Sequence, residues 1–296
     1  MGLRSKILFA LNVLLRPYGF QNLLHFYIKK GKIKFPNNFS ITINKNNFRD
    51  IVELYKFASM YGVRINDHWK VNEQNYTITT PCGITLSLEA FNALIFAETF
   101  LYDSHFVDFD LTGRTVIHAG AYVGETALYY AKKGAIVYAF EPNPDCYNVA
   151  DLNLKLNHEL AKNIILKNYA IGEDGYVEFP NIKCSGAASV YSNVKDKVKV
   201  RSVSISTILK EFKINNPDIL DIDIKGEEFK IIYDRSLEKF KIIRIEYSTE
   251  IEGKKLGNVD DIINKLREYG FNKIRVYKHN EGIYDLSEHG TIHAVK

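Results

Sequence analysis

The chain has 296 residues, 46% hydrophobic and 25% charged, the balance of a globular protein with ample material for a core and no need of a disulfide or metal staple. Its three cysteines, Cys82, Cys146 and Cys184, form no C-x-x-C pair, which argues against a zinc site or a disulfide framework and favours a reducing cytoplasm. Net charge is +4, yet residues 1–49 hold nine Lys or Arg and no Asp or Glu, leaving 30 basic against 35 acidic residues in the remainder.

The basic character therefore belongs to an N-terminal arm. Its apolar run from Ile7 to Leu15 is nine residues long, too short to span a bilayer. No small-x-small cleavage site follows it, and Lys6 stands where N-myristoylation needs Ser or Thr. Two readings stay open for residues 1–49: a helix docked on the body by its apolar face, or a basic amphipathic segment resting on an anionic membrane surface. A nucleic-acid partner is not expected, because aromatic residues are not interleaved with the charges. The expected location is cytoplasmic, with peripheral contact at a membrane as the alternative.

Helices are predicted over residues 5–30 and 47–61, followed by a hairpin in "NYTITTPCGITLSL" around Pro81 and Gly83, and a helix in "EAFNALIFAETFLY". From residue 115 strand and helix alternate. "TVIHA" reads as a strand, "ETALYYAKK" as a helix closed by Gly134, and "AIVYAFE" as a second strand. The helix "NPDCYNVADLNLKLN" follows, with Asn143 as N-cap and Pro144 in its first turn. "NIILKNYAI" is a third strand, "YVEFP" and "KVKVRSVSI" are extra strands around a polar loop, and "STILKEF" is a short helix. "ILDIDI" and "KIIRIEYS" are further core strands, with helices in "EEFKIIYD" and "VDDIINKLREYG". "FNKIRVYK" and "GTIHAVK" lie too close together for a crossover, so they are expected to be antiparallel. The pattern predicts an α/β fold with a doubly wound, mostly parallel seven-stranded sheet, and ligands beyond the carboxyl ends of its strands. Two parts are expected, a mainly helical extension over 1–75 and a Rossmann-like domain over 76–296.

The candidate cofactor turn is "VIHAGAYVGETALYYA". A nicotinamide dinucleotide fingerprint would need glycine where Ala119 and Ala121 stand, so the close approach of a pyrophosphate is not provided for. The spacing Gly120-x-x-x-Gly124 suits a cofactor without one. Glu141, at the end of the second strand, is placed to accept both hydroxyls of a ribose. Together they favour S-adenosyl-L-methionine.

Four segments, "VIHAGAYVGETALYYA", "AFEPNPDCYNVADLNLKLN", "NYAIGEDG" and "DIDIKGEEFKII", stand in an order and spacing that resembles the FkbM family of class I methyltransferases. The resemblance covers roughly residues 76–296. It implies that Gly120 and Gly124 form the turn under the methionine part, with Ala121, Tyr122, Glu125 and Thr126 beside it. Glu141, Pro142 and Asn143 would meet the ribose, and Ala170 and Ile171 would flank the adenine. Asp223 would face the transferred methyl. Three positions depart from the family pattern: His118 replaces an acid near the cofactor's amino group, Asp221 replaces Lys, and Lys225 replaces Glu in K-[IV]-D-[IV]-E-G-x-E. The last two exchanges are opposite in sign and keep the local charge, whereas His118 stands uncompensated.

Transfer to a hydroxyl needs the acceptor held in line and its proton removed. Asp223 is the first candidate base, with Glu228 and His118 as substitutes. Tyr102, Tyr122 and Tyr129 are candidates for lining a pocket. The histidines show no metal-ligand spacing, so no metal is expected. The expected activity is O-methylation of a small-molecule or glycan acceptor, a sugar or glycolipid by family resemblance. A catalytically degenerate binding or scaffolding protein, or a nicotinamide-linked sugar oxidoreductase, are the alternatives.

Overall fold

A computed structural model describes residues 110–277 (187 excepted) and 288–296, with shorter stretches among residues 32–34, 40–42, 70–90 and 92–100. The helices expected over 5–30 and 47–61, most of that expected over 89–102, Tyr102 and nearly all of the basic arm lie outside the described residues. By internal contacts the chain divides into two compact units, 1–108 and 109–296, where the sequence places its boundary at 75/76.

In the first unit, β1 (Lys32–Lys34) pairs antiparallel with β2 (Ser40–Thr42). The expected hairpin is present as β4 (Thr77–Thr79) and β5 (Thr85–Ser87), with β3 (Lys70–Asn72) added antiparallel to β4. Ile78, Ile84 and Leu86 are buried, as the alternation requires.

The second unit contains the seven-stranded sheet. Its strands are β6 (Thr115–Ala119), β7 (Ile136–Phe140), β8 (Ile164–Lys167), β12 (Ile219–Ile222), β13 (Ile242–Ser248), β16 (Lys273–Tyr277) and β17 (His289–Val295). The order is β16-β17-β13-β12-β6-β7-β8. Strands β8 to β13 in that order are parallel, while β17 runs antiparallel to both β13 and β16. Strand order reverses between β6 and β12, which fixes the switch point beside Gly120 and Asp223.

The intervening helices are α1 (Glu125–Lys132), α2 (Pro144–Leu156), α3 (His158–Ala161), α4 (Ile205–Glu211), α5 (Glu228–Ile231) and α6 (Val259–Glu268). Asn143 caps α2 by accepting from the amides of Asp145 and Cys146, and Pro144 occupies its first turn. Helix α5 is shorter than "EEFKIIYD" suggests; the chain continues through a 3-10 turn over Arg235–Lys239. The third predicted strand divides into β8 and β9 (Ala170–Ile171). Strand β9 joins a separate sheet with β10 (Gly175–Pro180) and β11 (Lys197–Val203). A small ribbon, β14 (Glu250–Ile251) with β15 (Lys254–Lys255), follows β13.

The two faces of the central strands differ sharply. Ile117, Leu220, Ile222, Ile243, Ile245, Ile292 and Ala294 point into one apolar core with Ile208, Leu209, Phe229, Leu237, Ile262 and Leu266. On the alternate positions, strand register sets His118, Asp221, Arg244 and His293 side by side across β6, β12, β13 and β17. The first three are buried, and His293 is half-buried.

Candidate active site

Residues 120–124 make a tight turn from β6 into α1. The amides of Gly120 and Ala121 both donate to the Phe140 carbonyl, tying the turn to the end of β7. Gly120 has φ +91°, and a Cβ there would stand 1.8 Å from the Asp223 carbonyl oxygen. Only glycine permits this approach of β6 to the segment after β12. Gly124, at φ +81°, is the N-cap of α1 and packs within 3.3 Å, measured from an added Cβ, of Ala150 and Leu154. Tyr122 lies between them at φ +48°.

Three carboxylates converge on this turn. Glu141 is 7% exposed; its Oε2 accepts from the Tyr122 amide and its Oε1 from the Asn143 amide, each at 2.8 Å. One hydrogen bond to each oxygen leaves lone pairs for a further donor. Burial pushes its pKa up to about 7, against the pull of those two amides. Glu125, the first residue of α1, is raised to about 8 by burial, with Asp223 and Glu141 adding to the effect. Asp223 is raised to about 7 by burial and by Glu246, opposed by Arg244 and Lys225. Its side chain remains 28% exposed, so it is open to a substrate.

Beneath Asp223 lies a buried ion network. Arg244 Nη1 is 2.8 Å from Asp221 Oδ1 and 3.5 Å from Asp223 Oδ2, and its Nη2 is 3.7 Å from Glu246 Oε2. Lys225 Nζ binds Glu246 Oε1 at 2.9 Å. The Tyr130 hydroxyl donates to Asp221 Oδ2 at 2.5 Å, and His118 Nδ1 lies 3.0 Å from the same oxygen. Further along the face, Ser248 Oγ is 3.0 Å from His289 Nδ1. His293, half-buried, is pushed down to about 4 by partial burial and by the Arg244 cation.

This geometry corrects two expectations about the departures from the family pattern. His118 is not uncompensated: it is 1% exposed, meets Tyr130 edge-on at 5.8 Å, and is the register partner of Asp221. Position 118 therefore lies directly against the Asp221 carboxylate. Asp221 and Lys225 do not balance one another either. Each finds its counter-ion on β13, Asp221 at Arg244 and Lys225 at Glu246. As a substitute base His118 is enclosed behind the turn.

Glu228 is corrected likewise. It is fully buried, and its oxygens accept from the amides of Gly226 at 2.6 Å and Ser248 at 2.9 Å. It clamps the segment after β12 to the end of β13 and offers no face to a substrate. Ala170 and Ile171, each 5% exposed, sit in β9; Ala170 packs with Phe179 and Val200, and Ile171 joins the main core. Tyr129 is buried, whereas Tyr122 is half-buried at the turn. Asn168, which the sequence does not single out, donates to the carbonyls of Glu141 and Pro142 and holds the ends of β7 and β8 together.

The cysteine expectation is also corrected. Cys146 and Cys184, 38 residues apart, form a disulfide with their Cα atoms 4.5 Å apart. The β10–β11 connection folds back over the start of α2, a closure that spacing along the chain does not reveal. Cys184 N also donates to Asp145, and Asn143 Nδ2 donates to the Ile182 carbonyl. At its other end the same connection reaches the segment after β12, through Ser189 to the Lys225 carbonyl at 2.7 Å and Tyr191 to Glu227 at 2.5 Å. It thus joins the Glu141 corner to the Asp223 corner.

Among the described residues, no group of three or more His, Cys, Asp or Glu is placed to hold a metal ion, and no helix is long and apolar enough to cross a membrane.

A seven-stranded sheet of this order, with β17 antiparallel and a glycine turn at the switch point, defines a class I methyltransferase fold. The model of the methyltransferase FkbM domain matches residues 118–273, more than half of the chain, and the chain belongs to that family of methyltransferases. Methyltransferase sdnD of Sordaria araneosa is 25% identical over 187 residues, 49% of this chain and 71% of that protein. Among solved structures, the METTL16 methyltransferase domain is 12% identical, with 95% of this chain and 92% of that one covered at a TM-score of 0.47. The N-terminal domain of human METTL16 in complex with SAH is 14% identical, covering 95% and 94% at a TM-score of 0.41.

Proposed function

We propose that the chain is an S-adenosyl-L-methionine-dependent O-methyltransferase acting on a hydroxyl of a sugar or glycolipid. The observation that carries the cofactor reading is the convergence of Glu125, Glu141 and Asp223, all partly protonated near neutral pH, on a glycine turn. Buried carboxylates that repel one another favour a cationic ligand. S-adenosyl-L-methionine, when bound, supplies a methyl group on a cationic sulfur together with an ammonium and a ribose diol.

Glu141 would take the ribose hydroxyls on the lone pairs its two amides leave open. Asp223, the one partly exposed acid of the three, would accept the hydroxyl proton at a carboxylate oxygen as the acceptor attacks. Arg244 beneath it and Lys225 beside it favour its ionised form. The turn and the β10–β11 connection would hold the acceptor in line, which is the larger part of the work in a displacement, roughly 7–11 kcal/mol at best. A sugar acceptor suits the polar groups that follow Asp223 on the same sheet face, Glu246, Ser248 and His289.

Calorimetry with S-adenosyl-L-methionine tests this directly. Glu141→Ala is expected to weaken binding by about 1.5–3 kcal/mol, the range for hydrogen bonds to a charged group, or roughly tenfold to a hundredfold. Unchanged affinity in a folded variant would place the cofactor elsewhere, and binding of a nicotinamide cofactor instead would overturn the reading.

For the basic arm we propose peripheral contact with anionic membranes, supported by nine cationic residues and no acidic ones in 1–49. The protein should co-sediment with anionic vesicles and detach as salt rises, because exposed charges are screened. Binding that ignores salt, or that survives neutralisation of these residues to Gln, would reject this role.

A further inference from the structure

Glu125 is 3% exposed, and its Oε2 has no hydrogen-bond partner in the protein. An acceptor removed from water and left unpaired costs about 1–3 kcal/mol, and more if it is charged. Such an atom at a ligand turn points to a donor that arrives with the ligand. The kind of donor follows from its surroundings. Asp223 and Glu141 both act on Glu125 as like charges; the backbone amides of Glu125 and Val123 pull the other way, and the leading influences include no cation. A neutral hydroxyl would fill a lone pair and leave the repulsion between carboxylates standing. An ammonium group relieves both.

The position where the family pattern has an acid is closed to this task. His118 is 1% exposed, with Nδ1 3.0 Å from Asp221 and its ring edge against Tyr130, and neither ring nitrogen makes a hydrogen bond. Asp221 is in turn paired with Arg244 at 2.8 Å. The negative charge at 221 therefore stays inside the sheet. Glu125 directly follows the second glycine of the turn and is near enough to Asp223 and Glu141 to feel both charges.

We propose that Glu125 is the residue that receives the ammonium group of the cofactor's methionine portion, in place of the acid absent at 118. The inference rests on the cofactor reading above. It makes His118 a structural residue, and it makes this chain's cofactor contact depend on a side chain at the start of α1 instead of at the end of β6.

The test pairs two ligands with two variants of the full chain. S-adenosylhomocysteine and its analogue lacking the amino group differ only at the group in question. By calorimetry, the wild type is expected to prefer the amine-bearing ligand at least tenfold. Glu125→Gln should bring the two affinities within about threefold of each other, chiefly by weakening the amine-bearing ligand. Glu125→Met, which fills the same space without a buried polar atom, should give the same result and guards against a Gln variant that folds poorly. Equal weakening of both ligands by both variants would show a structural role only and overturn the proposal. So would a His118→Ala protein that loses the preference while Glu125→Gln keeps it. A wild type that binds neither ligand would instead remove the cofactor reading itself.

Discussion

Replacing Arg244 with methionine is expected to cost roughly 3–5 kcal/mol of folding stability, the range for breaking a buried ion pair from one side. Arg244 is 2% exposed on the central strand β13, and it contacts Asp221, which is fully buried, at 2.8 Å. Removal leaves Asp221 with one hydroxyl and one imidazole nearby but without its guanidinium. Glu246 keeps Lys225, so the loss centres on Asp221. The double variant Asp221→Asn, Arg244→Met should recover at least half of the loss, because no uncompensated charge then remains. Denaturant unfolding of the three proteins gives the comparison. A single-variant loss under about 1 kcal/mol, the value of an exposed pair, would mean that the network does not depend on Arg244.

That arginine also shows where reading the sequence stops. In "KIIRIEYS" the polar residues alternate with apolar ones, the pattern of a strand with one face in water. Of its apolar half, Ile243, Ile245 and Tyr247 enter the core. The polar half is equally buried, because Arg244 and Glu246 find opposite charges on and after β12. Period-2 alternation cannot separate a solvated face from an internally paired one. The available signal was the coincidence of Asp221 and Arg244 on adjacent predicted strands, each at the centre of its run.

Local chemistry was legible for the same reason that distant pairing was not. The turn at Gly120 and Gly124, the Asn143–Pro144 cap and the strand-end placement of Glu141 and Asp223 all depend on residues a few positions apart. The antiparallel final pair follows from the shortness of its connection. His118 with Asp221, Glu228 with Ser248, and Cys146 with Cys184 meet only after the sheet has formed. Spacing along the chain shows none of these three pairings. The difference matters for function, because an acid that looks catalytic by motif position, Glu228, is occupied by two backbone amides.

The pH dependence of the protein should report its buried acids. Glu125 is raised to about 8, and Glu141, Asp223 and Glu228 to about 7, in each case chiefly by burial. Unfolded, these carboxyls titrate near 4, so the folded state holds more protons across the interval between. Their contribution to stability is complete below the unfolded value and is lost as pH rises through 7 to 8. His293 works in the opposite sense. Its pKa is lowered to about 4, so it withdraws stability as pH falls from its ordinary range toward 4. The window from about pH 6.5 to 8 therefore isolates the carboxylates. Without ligand, the melting temperature should fall as pH rises through that window, with a slope approaching ~1.4 kcal/mol per unit for each carboxyl still protonated. A cationic ligand prefers the ionised acids, so S-adenosyl-L-methionine should bind more tightly at pH 8 than at 6.5, by roughly tenfold if about half to one proton per site is released. Calorimetry in buffers of different ionisation enthalpy counts those protons. Stability that is flat or rising with pH, together with binding that releases no proton, would show that Glu125, Glu141 and Asp223 are already ionised in the free protein, and the expected pH dependence of cofactor binding would fail.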